Sequence, residues 1–375
     1  MKAKSIRRDF AETDFELAEA LIIWNAMVEP GDRVAGELLN TLGPLQALEA
    51  FQRRTDLGEE VGNAYIRWEP RYSNGIAAEK IAAAQKHDLK LLVPTDDLWP
   101  DQLRDLGNHQ PLLIWYRGHA ANFEKLNHSI GIVGSRNASP YGQKVTTDLV
   151  GQVVAQDASV ISGGALGIDA IAHKATLRLG GNTAAFMAGA LDCPYPVGNL
   201  SLFEEISHNG LLLSEMTPGS RPTRWRFLQR NRLIAALSQA TVVTEAGWRS
   251  GSINTVNHAL ELGRPVFAIP GPINSPASAG CNRLIRDLQA SMLLDVADLP
   301  LELGWRENSE TELAGLGSLE LRAFDALESR FQSSEELLKA TGLSLSELGI
   351  ALGSLKLLGK AELGLAGTWR KALKS

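Results

Sequence analysis

Between about residues 128 and 300 the chain repeats one local rhythm: a short apolar run, a turn rich in Gly and Ser, then a helical stretch. SIGIVGSRNASPYGQKVTTDLV, ASVISGGALGIDAIAHKATLRLG, NTAAFMAGALDCPYP, GLLLSEMTPGS, ATVVTEAGWRSGSINTVNHALELG and PVFAIPGPINSPASAGCNRLIRDL all follow it. Strands that alternate with helices return by crossovers rather than hairpins. The pattern therefore predicts an α/β domain: a doubly wound, mostly parallel sheet with helices on both faces. In open sheets of this kind ligands bind outside the carboxyl ends of the strands. All the glycine-rich turns fall at those ends, so they gather on one edge.

Turns such as GSRNAS, SGGALGID and WRSGSIN each open a helix. Free backbone N–H groups and the positive end of the helix dipole favour an anion there, and glycine lets it approach closely. One such turn is equally well explained as a tight strand-to-helix connection. Three on one edge are not, once RPTRWRFLQRNR stands between them. That segment, Arg221 to Arg232, has five arginines in twelve residues and no acid, on a chain of formal charge −6. The motifs of nucleotide enzymes are absent: no G-x-x-x-x-G-K-[ST] string occurs. After the first strand of the repeat the chain reads Gly131-Ile132-Val133-Gly134-Ser135-Arg136 in place of G-x-G-x-x-G, and the second strand ends in Ser162-Gly163-Gly164 rather than in a ribose-binding acid. The expectation is a phosphate-bearing ligand without a nucleotide-specific pocket.

Zones of different character flank the repeat. Residues 1–115 read as a helical domain, with FELAEALIIWNAMV and VAGELLNTLGPLQALEAF at helical spacing; the second segment resembles a helix-hairpin-helix or sterile-alpha-motif-like unit. Residues 116–300 form the sheet domain, 301–317 a linker rich in Glu, Gly and Ser, and 318–375 two helices and a hairpin resembling a winged helix. From Glu320 to Ser375 there are eight Lys or Arg against seven Asp or Glu, so protein contact or autoregulation suits this zone better than reading of a base sequence. Cys193 and Cys281 are the only cysteines, too few for a disulfide framework or a zinc site. The basic start MKAKSIRRDF is followed by AETDFELAEA, not by an apolar signal core, and no apolar run approaches the roughly 20 residues that span a bilayer. A cytoplasmic protein is expected.

The strings GIVGSRNASPYG, SGGALGIDAIAH, ALDCPYPVGN, LLSEMTPG, FLQRNRLIAALS, RSGSINTV and ALELGRPVFAIPGPINSPASAGCNRLI, in this order and covering most of residues 130–290, resemble the DNA-processing protein A family (DprA, also called Smf). Leu228 stands where that family usually has proline, and Ala236 where it has glycine. The resemblance implies a central Rossmann-like domain that binds single-stranded DNA, acts as a homodimer and helps load the RecA recombinase in transformation or recombination. It implies no metal, cofactor or catalysis. Single-strand binding needs a basic groove for the backbone and aromatic faces for the bases, and RPTRWRFLQRNR offers both.

Carried onto this chain, the resemblance assigns Arg136 and Arg224 to phosphates and Phe227 to base stacking. Around them it places Gly134, Ser135, Tyr141, Gly142, Ser162, Gly163, Gly164, Gly167, Ser250, Gly251 and Ser252 in the contact surface. Arg230, Asn231 and Arg232 form its R-N-R string; Arg230 or Arg232 is alternatively structural, paired with a carboxylate such as Glu215 or Glu245. Trp225 either stacks or packs. Asp169 is expected to cap its helix or orient an arginine, and His173, four residues on, to be a buried, hydrogen-bonded histidine. Glu245 is the most enzyme-like residue. It supports the alternative of a phosphoribohydrolase acting on nucleoside monophosphates, although TEAGWRSGSINTV lacks the P-G-G-x-G-T-x-x-E string of that group.

Overall fold

The computed structural model describes residues 12–305 and 316–372. The basic opening segment and most of the expected linker lie outside these residues. The chain divides into two units, residues 1–302 and 303–375. Among the described residues no helix is long and apolar enough to cross a membrane.

The first unit is built on nine strands: β1 (Lys90–Leu92), β2 (Ile114–Gly118), β3 (Ser129–Gly134), β4 (Ser159–Ser162), β5 (Thr183–Phe186), β6 (Leu211–Ser214), β7 (Ala240–Glu245), β8 (Val266–Ala268) and β9 (Ser291–Met292). Their order in the sheet is β1-β2-β6-β5-β4-β3-β7-β8-β9. From β6 to β9 every pairing is parallel, whereas β1 and β2 join antiparallel. The sheet thus also takes in β1 and β2, which lie ahead of the alternating repeat. Strands β3 to β8 are buried on both faces, which is why they read as continuous apolar runs rather than alternating ones.

Successive parallel strands march outward from β3 through β4 and β5 to β6. The chain then returns across the sheet and continues from β7 to β9. Right-handed crossovers therefore place α6 (Pro140–Val154), α7 (Ile168–Arg178) and α8 (Leu200–Asn209) on one face, and α9 (Arg224–Leu237) and α10 (Ser252–Glu261) on the other. The order reverses between β3 and β7, the position at which doubly wound sheets open a crevice. Helix α9 makes the long return, so its first turns pass over that crevice.

Among the described residues five α-helices precede the sheet: α1 (Glu12–Met27), α2 (Arg33–Leu42), α3 (Pro44–Gln52), α4 (Glu59–Trp68) and α5 (Ile76–Lys86). Trp24 is their centre, edge-on to Trp68 at 5.2 Å and to Phe51 at 6.0 Å. Asp32 caps α2 through Val34 N and Ala35 N, and its other carboxylate oxygen accepts from Trp68 Nε1 at 3.0 Å. These helices share a core with the sheet, which joins Trp24, Leu113, Trp115, Phe203 and Leu212.

Two arginines of α9 fasten it to this assembly. Arg226 pairs with Glu29 at 2.9 Å. Arg232, only 3 % exposed, makes a bidentate pair with Glu215, both contacts at 2.7 Å, and its Nε donates to His109 O at 2.9 Å. The RNR string therefore spends Arg232 on structure, in the carboxylate pair that the sequence left open as an alternative.

The second unit has helices Ser318–Ala326, Ser334–Thr341 and Leu345–Leu357, then a hairpin of β10 (Ala361–Leu363) and β11 (Trp369–Lys371). Ser333 and Ser344 each close a capping box, with Glu336 and Glu347. Ala323, Leu337, Ala351 and Leu355 form its core.

The Arg232–Glu215 pair generates a prediction. Arg232→Met leaves a buried carboxylate alone and should destabilise the protein by roughly 3–5 kcal/mol, whereas Arg232→Met with Glu215→Leu should cost much less than the sum of the single changes. Denaturation midpoints of the four proteins in the cycle check this.

Candidate nucleic-acid groove

At the carboxyl ends of β3, β4 and β7 lies an open groove of about 1150 Å³. Its floor and first wall come from the β3–α6 turn. Gly134 ends β3 where the register with β7 shifts, and Ser135 N donates to Glu245 O at 2.7 Å. The Ser135 hydroxyl accepts from Asn137 N and donates to Asn137 O, which fixes the turn that carries Arg136 into the groove. The second wall is the start of α9, with Thr223 capping it through Arg226 N at 3.2 Å. Arg224, Phe227, Asn231 and Ile234 recur at helical spacing and face inward. The loop after β7 closes the groove with Gly247, Arg249, Ser250 and Gly251.

Three exposed cations line this surface: Arg136, Arg224 and Arg249. None has a carboxylate partner among the described residues. The one acid in the lining, Asp169, is buried. Arg136 lies over the ring of Phe227, its guanidinium carbon 5.1 Å from the centroid, and Tyr195 meets the same ring edge-on at 6.0 Å. The groove thus joins fixed positive charge to an aromatic face.

Beneath it, Arg230 is buried and hydrogen-bonded to Gly163 O at 2.6 Å, to Phe186 O and to Asn231 Oδ1. It ties together the carboxyl ends of β4 and β5. Burial lowers its pKa to about 10, opposed by Asp169, so it stays a cation at neutral pH. A Cβ at Gly163 would come within 2.4 Å of this guanidinium, so a side chain there would push Arg230 off its hydrogen bonds. Gly167 is required for a different reason: its φ is +80°, and a side chain would strike Ser135 O at 2.2 Å. Asp169 accepts from Gly163 N and Ala165 N and closes the same turn; burial raises its pKa, with Arg230 and those amides opposing. Asn231 ties α9 to α10 through Asn254 Oδ1 at 3.1 Å.

The glycine-rich turn and the groove surface are therefore distinct layers. Gly134, Ser135, Arg136, Arg224, Phe227, Arg230, Asn231, Ser250, Gly251 and Ser252 line the groove, whereas Ser162, Gly163, Gly164, Gly167 and Arg232 do not. Tyr141 and Gly142 also stand outside the lining: Tyr141 donates to Pro270 O at 2.6 Å, and Gly142 packs on Glu245. Glu245 turns away as well, accepting from Ser139 N at 2.8 Å and from the Ser139 hydroxyl. Trp225 is exposed and outside the lining. Arg249, Tyr195 and Asn137 are lining residues that sequence reasoning passed over. Arg249 was the findable one, a lone cation in a glycine–serine turn already marked as anion-binding; nothing local marked Tyr195.

His173 is fully buried. Its Nδ1 lies 2.7 Å from Thr183 Oγ1, whose own proton goes to Val160 O, so the ring donates from Nδ1. Burial lowers its pKa to about 3, with Arg230 adding to the shift.

A family model described as DNA recombination-mediator protein A matches residues 90–304. The chain belongs to the DNA-processing protein A family. It is 35 % identical to a putative DNA processing protein DprA of Mycobacterium tuberculosis across 94 % of each chain. It is 40 % identical to DprA of Streptococcus pneumoniae over 51 % of this chain and 67 % of that one. The X-ray structure of the S. pneumoniae family member superposes with a TM-score of 0.64 at 28 % identity, covering 78 % of this chain and 99 % of that one. A Helicobacter pylori family member, described for its unique single-stranded DNA binding mode, gives 0.51 at 30 % identity over 57 % of this chain and 95 % of that one.

The buried His173 should make the domain acid-sensitive. Its folded-state pKa lies below its usual 6.5, so the folded form binds fewer protons, and stability is lost as pH falls from about 6.5 toward about 3. His173→Gln should flatten that part of the stability–pH curve; thermal melts at stepped pH read it.

Proposed function

We propose that this chain binds the backbone of single-stranded DNA along the groove, with Arg136, Arg224 and Arg249 on phosphates and Phe227 stacking a base. The observation that carries this reading is that every exposed charged side chain lining the groove is an arginine, with an aromatic pair standing among them. Stacking tolerates any base and backbone contacts ignore sequence, so affinity depends on salt and little on composition. The single-stranded DNA mode ascribed to the H. pylori relative supports the same assignment.

The chain further acts as a homodimer through its α/β unit and presents the strand to a RecA recombinase in DNA uptake or recombination, in the cytoplasm. The family resemblance and the recombination-mediator description of the matching family support this role. The groove works without metal or cofactor. In the proposed domain plan a helical domain precedes the sheet, and a winged helix follows a linker. The helix Leu345–Leu357 has Lys356 as its one cation, so this winged helix serves protein contact rather than reading of base edges. A phosphoribohydrolase reading would need Glu245 free to act on a ribose, and its carboxylate is spent on Ser139.

Arg136→Gln and Arg224→Gln should each weaken binding of all sequences alike and reduce the slope of log affinity against log salt by about 0.7. Phe227→Ala should cost about 1–3 kcal/mol, one stacked base. Fluorescence anisotropy with labelled oligothymidylate, competed by duplex and repeated across a salt series, measures all three. Unchanged affinity in folded variants, or no binding at low salt, would reject the assignment.

A further inference from the structure

The loop after β7 has two sides. Gly247, Arg249, Ser250 and Gly251 face the groove. Trp248 does not line it; the residue is 51 % exposed, and Arg283 lies over the ring with its guanidinium carbon 4.7 Å from the centroid. Arg283 belongs to α11 (Ala279–Arg286), and that helix is bound to the loop through its backbone. Gly280 N donates to Ala246 O at 2.7 Å, and a Cβ on Gly280 would sit 2.5 Å from Gly247 O. The Trp248–Arg283 pair is therefore held at a fixed position beside the groove.

The pair repeats the chemistry of the groove. Arg136 covers Phe227 at 5.1 Å as Arg283 covers Trp248 at 4.7 Å. Each ring has a cation on one side, and each cation lacks a carboxylate partner among the described residues, leaving its N–H groups for a phosphate. Arg249 lies in the loop between them. Tryptophan and arginine are also favoured at protein interfaces, but the repetition of the motif and its continuity with an all-arginine groove favour a nucleic acid.

We propose that Trp248 with Arg283 is a second base-stacking platform, which takes the strand as it leaves the groove across the loop Gly247–Gly251. This rests on the groove being the single-strand site. It makes the track longer than the groove and gives Arg283 two tasks, orienting the indole and contacting the backbone.

The test uses the full chain and labelled oligothymidylates of about 6 and about 20 nucleotides, within and beyond the span of a single short site. Trp248→Ala should weaken the long oligonucleotide roughly 5- to 100-fold and leave the short one unchanged. Trp248→Phe should restore most of the loss, and Arg283→Gln should lower the salt slope for the long oligonucleotide by about 0.7. Arg224→Gln should weaken both lengths. Trp248→Ala that melts like the parent and binds the long oligonucleotide normally, or weakens both lengths equally, overturns the platform while the groove assignment stands. Loss of self-association with unchanged DNA affinity overturns it in favour of a protein contact. Failure of the unmodified chain to bind either length overturns the groove reading and the platform with it.

Discussion

The rotation of α9 about its own axis decides what this protein can bind, and the Arg232–Glu215 pair sets that rotation. The bidentate contact is almost wholly out of water, with His109 O taking the remaining Nε–H. Such a pair adds little net stability, because desolvating both charges offsets their attraction. What it fixes is geometry. With Arg232 locked on one side of the helix and Arg226 clamped to Glu29, residues 224, 227 and 231 have only the groove to face. A rotation of about 100°, the angle between neighbouring residues, would carry them off it.

Arginine in this protein therefore divides by depth. Of the five in RPTRWRFLQRNR, Arg226, Arg230 and Arg232 are structural, each satisfied by carbonyl or carboxylate oxygens within the fold. Arg224 and Arg221 remain exposed, and of these Arg224 lines the groove. The groove recovers its charge from two other loops, through Arg136 and Arg249. Guanidinium suits both layers because its planar fork can hold several fixed acceptors inside and a phosphate outside, and it stays charged when buried.

This division marks the limit of what could be read from the chain alone. The alternation of apolar runs with glycine-rich turns made the parallel sheet and its ligand edge legible, since strand burial on two faces leaves a continuous pattern. The strings around Gly134, Gly163 and Ser250 made the family legible. Which arginine in a cluster points outward was not, because helix rotation depends on partners such as Glu29 and Glu215 that lie far away in sequence. Strand β1 was hidden for a related reason: a short strand joined antiparallel at the border of a sheet has no crossover rhythm around it. Tyr195 reaches the groove only because the segment after β5 folds back over α9.

The packing around Phe227 has a consequence for what can enter. Arg136 lies over the ring and Tyr195 packs against it, so an incoming base must share what face remains. On the proposed reading, a base can take that face only if one of its own is bare. In a duplex each interior base is already covered above and below by its neighbours. The groove would then turn away paired DNA with no residue set against it, simply because a double helix has no uncovered face to trade.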